Sequence, residues 1–263
     1  MRAYTLASWT LLQREVVRFL RQRHRIVGAL GTPLVFWFLI GSGLGRSFQS
    51  PLARSGEAHL DYLQYFFPGT VVLILLFTAI FSTISIIEDR REGFLQGVLV
   101  APIPRSAIVM GKILGGTVLA ASQAFLFLIL APLVGVRMSF ADAGYVVSLV
   151  LLLSFALTGL GFVLAWRLDS TQGFHAIMNL FLMPLWFLSG ALFPISGAPP
   201  WLRAVMEMNP LTYSVSGLHR AFYHAQEASA ALSSPAFSLG ITFAFAACMF
   251  GLSAAVARTK GAT

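Results

Sequence analysis

Charge is scarce in this chain. Only 11% of its 263 residues are Asp, Glu, Lys or Arg and ten are acidic, against a hydrophobic share of 57%. With a mean hydropathy of +0.79, it has too little polar surface to cover a soluble core. Cysteine is scarcer still: the one thiol, Cys248, lies in an apolar run, which excludes a disulfide framework and a cysteine metal cluster. A phosphate-binding loop is missing too. That loop needs G-x-x-x-x-G-K-[ST], so that backbone amides cradle the phosphates while the lysine and hydroxyl reach the terminal phosphate and magnesium. The one Gly-Lys pair, Gly111-Lys112, has Ser106 five residues before it and Ile113 after it. The chain is therefore not expected to hydrolyse nucleotide by itself. Neither H-E-x-x-H nor G-x-S-x-G occurs. His219 and His224, five apart, point to different helix faces and make a poor metal site.

What remains is apolar length. Six runs, roughly 26–44, 66–87, 107–136, 143–166, 174–195 and 235–257, approach or exceed the ~20 residues that a helix needs to cross a bilayer. None alternates strictly, which favours helices over barrel strands. The expected fold is an all-α polytopic membrane protein, one transmembrane domain over 1–263 with both termini on one face. If that face is cytoplasmic, it holds 13 of the 18 basic residues: Arg2, Arg14, Arg18, Arg21, Arg23, Arg25, Arg90, Arg91, Arg105, Lys112, Arg167, Arg258 and Lys260. Arg46, Arg54, Arg137, Arg203 and Arg220 stay outside, and the acids divide evenly, so the net charge of +8 is a positive-inside signal. Nucleic acid is not needed to explain it, and the expected location is the cytoplasmic (inner) membrane. No small-residue cleavage pattern follows the basic N-terminal region, so the first span is expected to be kept.

Three segments stand apart from the spans. Residues 6–25 read as an amphipathic interfacial helix: Trp9, Leu12, Val16, Phe19 and Leu20 share one face, with Arg14, Arg18, Arg21 and Arg25 opposite. It serves either as a topology anchor or as a partner contact. Residues 88–105, EDRREGFLQGVLVAPIPR, put five ionic side chains at the foot of the second span. Glu88 or Asp89 is placed to cap a short helix over 89–99, with Phe94, Leu95, Val98 and Leu99 as its apolar stripe and Pro102 and Pro104 as its stop. The alternative is a plain solvated loop. Residues 196–234 are too apolar for a simple loop, and Trp201, Leu202, Val205 and Met208 form a stripe before Asn209-Pro210. Two short helices at the outer interface are expected there. Pro184, Gly190, Pro194 and Gly197 imply that the fifth span bends or re-enters. His175 and Asn179 share a face of that span, and Gln123 lies within the third; each reads either as part of a pathway or as an interhelical hydrogen bond.

Taken together, the chain resembles the permease subunits of type-2 ABC exporters. One motif region is EDRREGFLQGVLVAPIPRSAIVMGK, with Pro102 and Arg105 at its Pro-x-x-Arg-like end. The other is FLSGALFPISGAPPWLRAVMEMNPLTY, where Asn209, Pro210, Leu211, Thr212 and Tyr213 match the Asn-Pro-Leu-Thr-Tyr signature. Many relatives carry Thr or Ser and then Glu after the loop glycine, Gly93, where this chain has Phe94 and Gln96. The resemblance implies two copies of the chain paired with two ATPase subunits, which bind the ATP and magnesium, exporting a drug, lipid or lipo-oligosaccharide. It also implies coupling to the ATPase through Glu88, Asp89, Arg90, Arg91, Glu92, Gly93, Leu95, Leu99, Pro102 and Arg105, helped by Arg14, Arg18 and Arg21. Phe36, Trp37, Phe181 and Trp186, with His175, Asn179, Gly190, Pro194, Asn209, Pro210 and Tyr213, are the candidate pathway or gate. A hydrophilic or polysaccharide substrate, a membrane scaffold and an intramembrane enzyme are the competing readings.

Overall fold

The structure, a computed structural model, describes residues 2–44, 62–136, 138–223 and 233–259. Arg46, Arg54, Arg137, His224 and Lys260 lie outside the described residues, as do 224–232 of the expected outer region and the side chains of Arg2, Arg23 and Arg25. Among the described residues the regular structure is helical, without a strand. In chain order the helices are α1 (Arg2–Arg21), α2 (Arg23–Leu44), α3 (Tyr62–Ser82), α4 (Ile84–Arg91), α5 (Phe94–Val100), α6 (Arg105–Leu128), α7 (Phe140–Arg167), α8 (Thr171–Trp186), α9 (Pro200–Met208), α10 (Pro210–Tyr223) and α11 (Pro235–Thr259). Six stretches are long and apolar enough to cross a membrane: within α2, across α3 and α4 together, α6, α7, α8 with its following turn, and within α11.

The second span forms the centre. No ionic side chain occurs from Tyr62 to Ile87, so α3 loses nothing by being enclosed, and Phe66, Phe67, Val71, Val72, Ile74, Leu75 and Leu76 are sealed from solvent. α2, α6, α7 and α10 pack around it. The third span ends as a helix at Leu128, short of the expected 136, because Pro132 opens a 3-10 turn over Ala131–Val134 and Gly135 leaves it at φ 73°. α7 then starts on a capping box, Ser139 with Asp142.

α1 and α6 run side by side in the same direction. The Tyr4 hydroxyl donates to Ser106 O (3.4 Å) and Ser8 Oγ to Ala107 O (3.0 Å), and further along, Gly115 sits beneath Glu15. Small residues on α6 permit this approach, since a Cβ on Gly111 would stand 2.7 Å from Ser8 O. The expected amphipathic face is accordingly split. Phe19 is buried and Leu12 and Val16 are half-buried, while Trp9 and Leu20 point outward with Leu6 and Val17. At the same end, Arg105 Nη1 donates to the carbonyls of Ala257 (3.1 Å) and Arg258 (2.8 Å), closing the last turn of α11. The start of α1, the α5 connection and the end of α11 therefore lie together.

The opposite end is built from breaks. After Trp186 the helix widens into a single π turn, Phe187–Ala191, and Gly190 takes φ 81°, a left-handed value that glycine adopts without strain. Its carbonyl receives the Tyr65 hydroxyl (2.7 Å). Of the two short helices expected at the outer interface, α9 presents an exposed apolar stripe of Trp201, Val205 and Met208. α10 does not: Leu211, Val215, Leu218 and Phe222 are buried, and it is packed against α3, α7 and α11.

Candidate functional site

The charges expected to face a partner are largely turned inward. Asp89, fully buried, receives both Arg14 nitrogens (Nη1 to Oδ2, 2.9 Å; Nη2 to Oδ1, 2.6 Å) and Arg18 Nη1 (2.6 Å). Arg18 Nη2 continues to Glu88 (2.8 Å), and Lys112 Nζ bridges Asp89 to Glu15. Three buried or half-buried carboxylates thus meet three cations, with the exposed Glu92 at the rim, 3.5 Å from Arg18. Balanced, hydrogen-bonded charge is the form in which ions tolerate a low-dielectric interior. The Arg14 guanidinium is raised above its ordinary pKa chiefly by the hydrogen bond to Asp89, with burial opposing. From the sequence, Lys112 enters only through the failed phosphate loop and the charge balance, and Glu15 only as one of the evenly divided acids. The available signal was that an isolated lysine in an apolar helix has to find a carboxylate.

Arg90 and Arg91 leave α4 toward a different element. Arg90 donates to Trp166 O (2.7 Å), Leu168 O (3.2 Å) and Asp169 Oδ1 (2.8 Å), and Arg91 to Asp169 O through Nε (3.2 Å) and Nη2 (2.9 Å). They clasp the end of α7 and the turn into α8. Arg105 is committed to α11 and Arg21 is exposed.

The short helix is also not where Glu88 or Asp89 would cap it. The span stays helical through Arg91, because those carboxylates are held in the ion cluster, and the chain breaks at Gly93 (φ 77°). α5 follows, its N-cap position filled by Gly93 without a side-chain cap. The expected stripe is present: Leu95 is buried, Phe94, Val98 and Leu99 are half-buried, and Gln96, Gly97 and Val100 are exposed. Glu92 is also exposed. Pro102 precedes the turn, and Pro104 takes the N-cap position of α6.

Above the ion cluster lies an open groove of about 540 Å³ between the end of α1, α2, α3 with α4, and the start of α8. Phe19, Ala29, Phe77, Phe81 and Ile84 supply apolar walls, and Thr32, Thr78, Glu88, Thr171 and His175 the polar ones. The His175 ring lies 5.2 Å from that of Phe81. Asn179 is exposed and outside this lining, and Phe36 and Phe181 are exposed as well.

Other pathway candidates belong to the packing. Trp37 is buried, donates to Leu63 O (3.0 Å) and meets Phe67 and Phe127 edge-on. Trp186 is sealed and donates to Gly69 O (2.9 Å). Asn209 ties two elements: Nδ2 donates to Leu185 O (2.6 Å) and Oδ1 accepts from Leu211 N (3.0 Å) at the start of α10. The Tyr213 hydroxyl donates to Glu207 O (2.9 Å). Pro194 and Pro210 sit at the turns before the outer 3-10 turn and at the first residue of α10. Gln123 accepts from Thr78 Oγ1 (2.6 Å), the interhelical alternative. The His219 ring packs tilted against Tyr65, 4.8 Å between centroids, and no cluster of three metal-ligating residues occurs among those described.

Comparison with known proteins gives a match over residues 7–223 to the family described as ABC-2 type transporter. The chain is 28% identical to a protein named transport permease ycf38 from Cyanophora paradoxa, covering 82% of this chain and 74% of that one. It is 24% identical to the inner membrane transport permease YadH of Escherichia coli K12 (84% and 85% covered). Nodulation protein J of Sinorhizobium fredii is 28% identical (72% and 71% covered).

Proposed function

The chain belongs to the ABC-2 type transporter family and is a transport permease, and from that premise we propose that it is the membrane half of an ATP-driven exporter acting in the inner membrane. Two copies would pair with two ATPase subunits, which would bind the ATP and magnesium. The observation that carries this reading is α5. It is a short helix between two spans, hung from a left-handed glycine and exposing Gln96, Gly97 and Val100, in a chain without a phosphate loop. Such a helix offers a separate ATPase a surface to push against.

The groove supports an amphipathic substrate. Aromatic walls beside Thr32, Thr171, His175 and Glu88 suit a molecule with one apolar and one polar part. α2, which supplies Gly28, Ala29 and Thr32 to the groove, also carries exposed apolar residues, and a second copy facing it would enclose a shared path. The charged end is assigned to the cytoplasm, with both termini.

Co-expression with an ABC ATPase tests the reading. Val100→Asp should insert normally and lose copurification with the ATPase, and full retention would overturn the assignment of α5. In proteoliposomes, ATP-dependent movement of a radiolabelled lipid amphipath is expected. Movement of a hydrophilic solute alone would replace the substrate class.

A further inference from the structure

We propose that Arg90 and Arg91 are positioning residues that carry displacement of α5 to α8 and do not themselves contact the ATPase; the inference rests on the reading of α5 given above. α5 is joined to α4 through Gly93 and to α6 through residues 101–104, so one of the two covalent routes by which force on α5 reaches the bundle is the last turn of α4. That turn is gripped on two sides. Glu88 and Asp89 hold α1 through Arg18 and Arg14, in an ion cluster that Lys112 closes against α6. Arg90 and Arg91 hold the α7–α8 turn.

The second grip ends at a sensitive place. Asp169 is followed by Ser170, whose side chain caps α8 by accepting from Gly173 N, and the next residues include Thr171 and His175, which line the groove. A shift of the Asp169 turn therefore moves the start of a groove wall. Four of the five arginine bonds go to backbone carbonyls, so geometry carries the link more than charge does. The Asp169 carboxylate is largely exposed and adds little. A planar guanidinium can reach two or three carbonyls in a fixed arrangement, which a lysine ammonium cannot copy.

This separates a strut from a docking surface. Docking by charge would survive Arg90→Lys with Arg91→Lys, whereas a strut would not. In a Cys248→Ser background with Thr171→Cys, the rate of maleimide labelling in the permease–ATPase complex should change between the nucleotide-free state and the state with ATP and vanadate. With both lysine substitutions, the ATPase should still copurify at the parent stoichiometry, and the nucleotide-dependent change should shrink by about two- to thirtyfold, the range that coupling energies along such links span. Amide exchange over 169–176, measured on the permease alone, should also rise. A full nucleotide-dependent change with parental exchange would overturn the strut, as would loss of the ATPase from the lysine variant. If the parent complex shows no nucleotide-dependent labelling, the reading of α5 fails instead, and the exchange measurement still decides whether the two arginines hold α8.

Discussion

The Arg14 guanidinium lies over the ring of Phe94, 3.6 Å from its centroid. This single contact joins the N-terminal helix to the first residue of α5. Phe94 occupies a place where the resemblance leads one to expect Thr or Ser, so this chain has an aromatic platform where a small hydroxyl was expected. A cation over a partly desolvated ring contributes about 1–2 kcal/mol. Phe94→Ser should lower stability by that amount, and Arg14→Lys by more, since it also breaks the two-pronged contact with Asp89. Thermal unfolding of the single and double variants in micelles measures both, and strict additivity would show that the stack contributes nothing.

Among the described residues, Lys112 is the only cation shared by Glu15 and Asp89 that is itself buried. Lys112→Met leaves an excess of buried negative charge and should cost about 3–5 kcal/mol. Adding Asp89→Asn should recover part of that loss by restoring the balance. The order of melting temperatures across parent, single and double variants checks the sign. A double variant less stable than either single one would contradict the charge-balance account.

Asn209 should behave as a bracket. Asn209→Ala removes a donor to Leu185 O in a part-buried setting and an acceptor for Leu211 N in a buried one, at a cost of about 1–3 kcal/mol. Transport measured at matched amounts of folded protein should remain near the parent level. A fall in apparent substrate affinity with unchanged stability would return Asn209 to the pathway.

Span number and helical class were legible because they depend on local length and composition. The apolar run 66–87 locates the second span, which the structure extends to Tyr62–Arg91 and divides into α3 and α4 at Thr83. The breaks near Gly190 and Pro194 were legible for the same reason. The direction of charge was not. Arg14 and Arg18 look solvent-facing on a wheel drawn for one helix, since their partners at Glu88 and Asp89 are some seventy residues away in sequence. A helical wheel also cannot tell lipid from a neighbouring helix, which is why Phe19 and Leu20 were assigned to one face and the structure separates them. The groove was the least visible feature. Phe81 and His175 come from different spans and are ordinary residues in each. The Asn-Pro-Leu-Thr-Tyr run identified its segment but not its role, because a hydrogen-bonded bracket and a gate call for the same polar residues.

The buried ion cluster also sets an order on synthesis. Arg14 and Arg18 leave the ribosome early, Asp89 follows 75 and 71 residues later, and Lys112 comes 97 residues after Glu15. Until α6 is in place the first helix has no balanced setting for its charges and no glycine seam to rest on. The α1 segment is thus made before its partners and seated only once the three spans through α6 have been made. Seating of α1 is accordingly expected to wait for α6, so a chain halted before Lys112 should leave that helix unmoored.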